Sequence, residues 1–242
     1  MFGNFLHKLR PDKPLTQSRF PALFLAPALL AALSAAPAHA AQTTDAALSL
    51  YGAFSGTSSG NSVNQSPANA AGGMIELRHL VHPWLGFEGA YSFNRANQNY
   101  ISQPAPCQFG PGPNCVEITS ASISANAHEF TGDWVFSLKL LNLRPFAVVG
   151  AGVLLDIPTG GTYSTCGYFT SSCSPNHVPT STVTKPVFVY GAGLDWGLLP
   201  HLGLRFQYRG NLYKAAALTS VIQSSNAFTQ TAEPMIGAYF RF

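Results

Sequence analysis

Histidine and carboxylate side chains are the residues of this sequence that could support acid–base chemistry or bind a metal. His128 stands directly before Glu129, but neighbouring residues of a strand point to opposite faces, so the two cannot form a catalytic dyad. His79 and His82 are not accompanied by a third ligand, so a zinc site is not indicated. We therefore expect no catalytic residues, no metal site and no cofactor.

A larger set of charged residues shares one parity of the alternating segments described below. It contains six acids and five bases: Glu76, Glu88, Glu129, Asp133, Asp195 and Glu233, with Arg78, Lys185, Arg205, Arg209 and Arg241. Such a set fits either a selectivity path for ions or a network of paired charges. The near balance of sign favours pairing, because an ion path tolerates or prefers an excess of one sign. We expect Arg205 or Arg209 to pair with these acids, with Glu88 and Glu129 as leading candidates.

The chain has four cysteines, and four cysteines allow three connectivities. Each close pair lies within one loop-like stretch, so we expect Cys107–Cys115 and Cys166–Cys173 disulfide bonds in an oxidising compartment. Neither spacing is C-x-x-C, so a redox motif is not indicated.

Gly-Ala-Gly occurs at 150–152 and again at 191–193. A nucleotide-binding loop requires glycines where a strand turns into a helix. Here the strand-like pattern continues on both sides. We interpret these glycines as making room inside a narrow, curved sheet.

The N-terminus has the features of a secretory signal peptide. Lys8, Arg10, Lys13 and Arg19 precede the apolar stretch FPALFLAPALLAALSAA, and Ala38-His39-Ala40 fits the small-x-small cleavage pattern. We expect removal of residues 1–40, leaving 41–242 as one domain. The leader holds four of the 13 basic residues and one of the 10 acidic residues, so the mature chain has nine of each. No basic patch then indicates nucleic acid or anionic lipid as a partner.

Eight segments with a hydrophobic period of two fill the mature chain: 45–56, 70–81, 85–96, 124–138, 145–157, 184–197, 203–214 and 231–242. This period indicates strands, and about ten tilted residues cross a bilayer. Four connectors are long and rich in Ser, Thr, Asn, Gly and Pro, and they alternate with three short ones. The pattern predicts an all-β fold, an eight-stranded antiparallel up-and-down transmembrane barrel with both termini at the turn end. The faces of segment 145–157 stay unassigned, because both parities are apolar or glycine.

Large aromatic residues lie on the face of each strand opposite to the charged residues. This arrangement fits a soluble barrel with an apolar interior or a membrane barrel with an apolar exterior. The rings are too many for the lumen of eight strands. Trp84, Trp134 and Trp196 all fall near short turns, as an interfacial girdle would. The last segment alternates as far as Phe242, as closure of a sheet in lipid requires. These observations favour the membrane.

The sequence resembles the small eight-stranded outer-membrane barrels, the family that includes the OmpA transmembrane domain and the opacity-type proteins. The resemblance covers the whole mature chain. It rests on segments such as WLGFEGAYSF and RPFAVVGAGV and on the terminal alternation of Ile236, Ala238, Phe240 and Phe242. In that family the terminal aromatic residue is part of the signal read by the barrel-assembly machinery, which implies the same role for these four residues.

Outer-membrane lipid A deacylases also resemble this family, and they use a His-x-Ser motif. No mature histidine here, namely His79, His82, His128, His177 or His201, is followed two residues later by serine. We therefore expect a protein without enzymatic activity.

The expected function is envelope integrity together with surface display of four loops. We expect a monomer in the outer membrane of a diderm bacterium, exported by the general secretory route. The implied partners are outer-membrane lipid, the barrel-assembly machinery during biogenesis, and an extracellular ligand that the sequence does not name. The competing functions are a narrow porin-like channel, a surface adhesin and a lipid-modifying enzyme.

Overall fold

The computed structural model describes residues 43–102, 116–167, 170–215, 217–220 and 222–242. The predicted leader, together with Cys107 and Cys115, lies outside this part of the chain. Among the described residues, no helix is long and apolar enough to span a membrane.

Eleven strands follow one another along the described chain. They are β1 (Thr43–Ser55), β2 (Ser58–Gly60), β3 (Val63–Pro67), β4 (Ala70–His82), β5 (Leu85–Ser102), β6 (Val116–Ser137), β7 (Leu143–Gly167), β8 (Thr170–His177), β9 (Val183–Gly197), β10 (Leu202–Lys214) and β11 (Phe228–Arg241).

Eight of these strands close into an antiparallel barrel. Their order around the ring is β1, β4, β5, β6, β7, β9, β10 and β11. The ring closes where β11 pairs with β1, with Phe240 opposite Ala46. Closure satisfies the backbone groups of every barrel strand within the sheet, which a membrane requires. The predicted fold class is confirmed.

The two ends of the barrel differ in their connections. Three short connections, at 83–84, 138–142 and 198–201, lie at the end where β1 begins and β11 ends, which we call the turn end. The long connectors lie at the opposite, loop end. Outer-membrane barrels place short turns in the periplasm and long loops outside the cell.

The prediction that the long connectors are loops is wrong for much of their length. β5 continues to Ser102, β6 begins at Val116 and β7 continues to Gly167. The added pairing carries polar cross-strand contacts: Ser122 Oγ donates to Asn99 Oδ1 at 2.8 Å and Ser124 Oγ donates to Asn97 Oδ1 at 2.7 Å. Such strands lack hydrophobic contrast between their faces, so hydrophobic periodicity does not reveal them.

Side chains alternate between the interior of the barrel and its outer surface. The outer surface carries the large apolar residues, among them Leu48, Ile75, Phe130, Phe188, Phe206 and Ile236. The charged residues that share one parity of the strands point into the interior. For β7, Phe146, Val148, Leu154 and Asp156 are buried and Val149 and Val153 are exposed, which assigns the faces of segment 145–157.

Glycines on the inner face of β7 and β9 leave room for larger neighbours. A Cβ atom at Gly150 would collide with the Asp133 carboxylate, and one at Gly193 with the Phe146 ring. The two Gly-Ala-Gly segments therefore form part of the barrel wall.

A small apolar core closes the loop end of the barrel, and we call it the cap. Its buried members are Val63, Tyr100, Ala121, Ile123, Ala125, Val178, Leu218 and Ile222. Leu218 N–H donates to the Tyr100 hydroxyl oxygen at 3.2 Å. The connector that carries Leu218 joins β10 to β11, which lie across the ring from β5 and β6. The connector therefore crosses the mouth of the barrel.

Candidate functional site: the charged interior

Three arginines at the centre of the barrel form one cluster with the surrounding carboxylates, which we call the arginine cluster. Arg78 projects from β4, and Arg205 and Arg209 project from β10. All three guanidinium groups are fully buried, with 0% of each side chain exposed. Burial without partners would be very unfavourable for a charged group, so the positions of the acids decide whether the arrangement is stable.

Arg205 is the most heavily bonded of the three. Its Nε and Nη2 donate to both oxygens of Asp195, at 2.8 and 3.1 Å. Nη2 also donates to Asp45 at 2.8 Å and Nη1 to Glu76 at 3.3 Å. The planar guanidinium suits this fork-like bonding to a carboxylate.

Arg78 contacts one acid on the neighbouring strand β5 and one on the opposite strand β9. Its Nε donates to Glu88 at 2.8 Å and its Nη1 donates to Asp195 at 3.2 Å. The guanidinium also lies 4.0 Å from the centre of the Phe146 ring. Because Arg205 contacts the same Asp195, the two arginines are coupled through one carboxylate.

Arg209 extends the cluster toward the loop end. Its Nη1 donates to Asp133 at 2.9 Å, and its Nη2 donates to the Thr131 hydroxyl at 2.9 Å. The partners expected from the sequence lie further away, with Glu88 at 3.5 Å and Glu129 at 3.9 Å. The heights of residues inside the barrel, and hence the closest partners, depend on the register of all the strands.

The remaining predicted interior charges lie on either side of the cluster. Lys185 pairs with Asp156 at 2.6 Å. Asn211 Nδ2 donates to Glu129 at 2.9 Å, and Glu233 lies buried beside them. Glu129, Asp156 and Glu233 line an interior cavity of about 30 Å³ below the cap. Arg241 lies at the turn end and is partly exposed.

Asp45, Arg144 and Asp156 are buried charges that the sequence reasoning did not assign to the interior. Asp45 shares its parity with the small residues Ala47 and Ser49, a signal that could have placed it. Arg144 and Asp156 belong to β7, where apolar residues and glycines on both faces gave no parity to follow.

The structure also places the other predicted residues. Trp84, Trp134 and Trp196 are exposed on the outer surface near the turn end. The outer surface also carries Ile236, Ala238, Phe240 and Phe242. Cys166 stands opposite Cys173 in the β7–β8 pairing, as the predicted disulfide requires. Girdle, assembly signal and disulfides remain predictions.

Two histidines make contacts on the outer side of the barrel. His128 Nδ1 lies 2.9 Å from the Tyr91 hydroxyl and His79 Nδ1 lies 2.9 Å from the Thr44 hydroxyl. In the described part of the chain, no group of three His, Cys, Asp or Glu side chains is arranged to hold a metal ion.

A closed eight-stranded barrel with an apolar outer surface and a charged interior defines the class of outer-membrane barrel proteins. Residues 26–238 match the family described as the outer membrane protein beta-barrel domain. The chain belongs to this family, and it is a bacterial outer-membrane protein. The predicted family and location are confirmed.

Several solved structures are similar to this chain at low sequence identity. The attachment invasion locus protein Ail of Yersinia pestis, in complex with the heparin analogue sucrose octasulfate, has 15% identity and a TM-score of 0.41, covering 82% of this chain and 99% of that chain. Neisserial surface protein A has 14% identity and a TM-score of 0.41, covering 83% and 97%. OprG from Pseudomonas aeruginosa has 10% identity and a TM-score of 0.47, covering 84% and 97%. A search of curated proteins found no match.

Proposed function

We propose that this outer-membrane protein is a non-enzymatic barrel, closed to solutes, that supports envelope integrity and displays polar hairpins with few charged residues at the cell surface. The observation that carries the proposal is the arginine cluster, because its ion pairs cross the bore of the barrel.

The ring order shows how completely the cluster bridges the interior. β4 and β9 lie four strands apart in a ring of eight, and Arg78 joins them through its 3.2 Å contact with Asp195. β5 and β10 are also four strands apart, and Arg205 and Arg209 approach Glu88 at 3.6 and 3.5 Å. Side chains from diametrically opposite walls are therefore in contact. The buried charges pair with one another across the interior, so they do not require a water-filled channel.

The cap provides a second closure at the loop end. It packs residues from β3, β5 and β6 against the connector between β10 and β11. An ion entering from outside would have to displace this apolar core before it reached the arginine cluster.

The surface connectors support the display part of the proposal. Residues 56–69, 103–115, 168–182 and 215–227 contain no Lys, Arg, Asp or Glu. A ligand of these surfaces would be recognised by hydrogen bonding and van der Waals contact. Ionic attraction would contribute little, in contrast to surfaces that bind polyanions through clustered Lys and Arg.

Planar-bilayer recording tests whether the barrel is closed. We expect rare, small conductance events from the wild-type protein. The double variant Arg205→Ala/Arg209→Ala should conduct more often, because it removes the side chains that bridge the bore. Arg95→Ala, which changes an exposed arginine at the loop end, is the control and should behave as wild type. Stable, frequent channels from the wild-type protein would overturn the proposal.

A complementation experiment separates integrity from display. Cells lacking the protein should take up more of a large dye, and the wild-type gene should restore exclusion. A second gene would replace residues 164–175 with Asn-Gly, joining Tyr163 to its register partner Asn176 through a two-residue turn. We expect this trimmed protein to restore dye exclusion and to lose the binding of extracellular ligands that the β7–β8 hairpin mediates. Dye uptake that is unchanged by deletion would argue against a role in integrity.

A further inference from the structure

A cationic cavity opens at the turn end of the barrel, on the opposite side of the arginine cluster from the cap. It has a volume of about 370 Å³. Its lining includes the cations Lys139, Arg144 and Arg241, and no carboxylate side chain of the described residues. The equal numbers of acids and bases in the mature sequence conceal this local excess of cations.

Arg144 is the residue that most needs a further partner. It is only 8% exposed, and its Nη1 is buried with no hydrogen-bond partner among the described residues. Its register partner is Asp195, but both oxygens of that carboxylate are occupied by Arg205, one of them shared with Arg78. The nearby carboxylates Asp195 and Asp45 are thus shared with other arginines, and a buried guanidinium with no ion pair of its own is unfavourable. An anion in the cavity would supply that pair.

Arg241 and Lys139 add to the positive charge around the cavity. Arg241 Nε is also buried without a hydrogen-bond partner, and none of the three cations takes part in an ion pair within the described residues. The cavity wall is held in place by backbone bonds, since Gly197 N–H donates to Asn142 O and Arg241 N–H donates to His201 O, both at 2.8 Å.

The rim of the same cavity is apolar, which identifies the kind of anion. Leu141, Leu198 and Leu199 line it and are 94%, 49% and 63% exposed. Leu141 also has a positive φ of 55°, at the tip of a tight turn closed by Leu140 and Leu143. Glycine or asparagine suits such a position better than leucine. A residue held in such a conformation points to a functional constraint, and contact with lipid would account for the exposed leucine side chain.

We propose that the turn-end cavity binds the phosphate of an anionic membrane lipid, with Arg144, Arg241 and Lys139 around the phosphate and the leucine rim against the acyl chains. A free phosphate would use the same cations but would gain nothing from the leucines. The lipid is therefore the source that accounts for both halves of the cavity. The inference does not depend on whether the barrel conducts, since the cavity lies outside the arginine cluster.

Native mass spectrometry of the folded protein tests this assignment with three probes: short-chain phosphatidylglycerol, short-chain phosphatidylcholine and inorganic phosphate. We expect phosphatidylglycerol to bind most tightly. Arg144→Gln should weaken it about tenfold or more, the loss of a hydrogen bond to a charged group. Lys139→Gln changes an exposed residue and should weaken binding without affecting folding. Arg95→Gln, at the loop end, is the matched control and should change binding less than about twofold.

The leucines distinguish lipid from free phosphate. Leu199→Ser should weaken phosphatidylglycerol roughly fivefold, for partial withdrawal of one leucine from water, and leave inorganic phosphate unchanged. Leu141→Gly should also weaken lipid binding while raising the resistance of the barrel to unfolding, because glycine relieves the backbone strain. Inorganic phosphate that competes as well as lipid, or lipid binding unaffected by the leucine variants, would overturn the lipid assignment. Binding that survives both Arg144→Gln and Lys139→Gln would overturn the site.

Discussion

Replacing Arg205 by methionine tests whether the arginine cluster stabilises the barrel. Methionine is a flexible, unbranched apolar residue of somewhat smaller size, so the change removes the charge and the donors while leaving most of the volume. Arg205 makes four hydrogen bonds to three carboxylates, those of Asp45, Glu76 and Asp195. After substitution these acids face one another with fewer cations between them.

The expected loss follows from these contacts. A hydrogen bond to a charged group contributes roughly 1.5–3 kcal/mol, so four bonds would sum to roughly 6–12 kcal/mol. They share one guanidinium, and Arg78 still contacts Asp195 at 3.2 Å, so the contributions are not additive. Removal of one partner of a buried pair usually costs ~3–5 kcal/mol. We expect Arg205→Met to lower the free energy of unfolding by about that amount.

Urea unfolding in lipid vesicles, followed by tryptophan fluorescence and by the electrophoretic shift of folded barrel, measures the change. Arg95→Met is the matched control, because Arg95 is exposed and makes one 3.3 Å hydrogen bond to Thr159. It should change stability by less than about 0.5 kcal/mol. The double variant Arg205→Met/Asp195→Asn should be less destabilised than the sum of its single variants.

The result that would refute the reasoning is an Arg205→Met barrel within about 1 kcal/mol of the Arg95→Met barrel. Such a result would mean that water or protonation compensates the carboxylates at little cost. If unfolding is irreversible, the unfolding rates of the two variants provide the same comparison.

Three further predictions concern the cap, the assembly signal and the disulfides. Burial raises the pKa of Tyr100 above its usual 10.0, so its contribution to the stability of the cap should be complete below pH ~10 and lost as pH rises further. Tyr100→Phe should remove one late-titrating tyrosine from the alkaline absorbance curve and speed amide exchange at Leu218. Unchanged exchange would exclude this contact from the cap. Deletion of Phe242 should reduce outer-membrane yield in cells more than refolding in detergent, and equal losses would contradict an assembly signal. Non-reducing peptide mapping should show Cys107–Cys115 and Cys166–Cys173, each adding ~2 kcal/mol or less to stability, and linkage between the two hairpins would contradict the pairing.

The face occupied by each strand residue could be predicted from the sequence because it is a local property. Successive side chains of a strand point in opposite directions, so Glu76 and Arg78 had to share a face opposite Ile75 and Leu77. The same alternation, interrupted by short and long connectors, predicted the number of barrel strands. Where alternation lacked chemical contrast, as in β7 and the Ser–Asn pairs above it, the prediction failed.

The partners of each charge were decided only by the tertiary structure. Arg209 bonds most closely to Asp133 on β6, at 2.9 Å, and Arg78 reaches Asp195 on the opposite wall at 3.2 Å. These distances depend on the height of each residue, which the stagger of all the strands sets together when a barrel closes.

The turn-end cavity likewise depends partly on the sequence and partly on the tertiary structure. Arg241 is about a hundred residues from Lys139 and Arg144 in the sequence, and all three cations are balanced by acids in the overall composition. They gather at one mouth because the β6–β7 turn and the end of β11 lie at the same end of a closed barrel, while the acids that would neutralise them are held by Arg78 and Arg205 further inside. The sequence determined which charges exist and which way they point. Closure of the barrel decided which of them lack a partner, because pairing across the bore is a property of the whole ring.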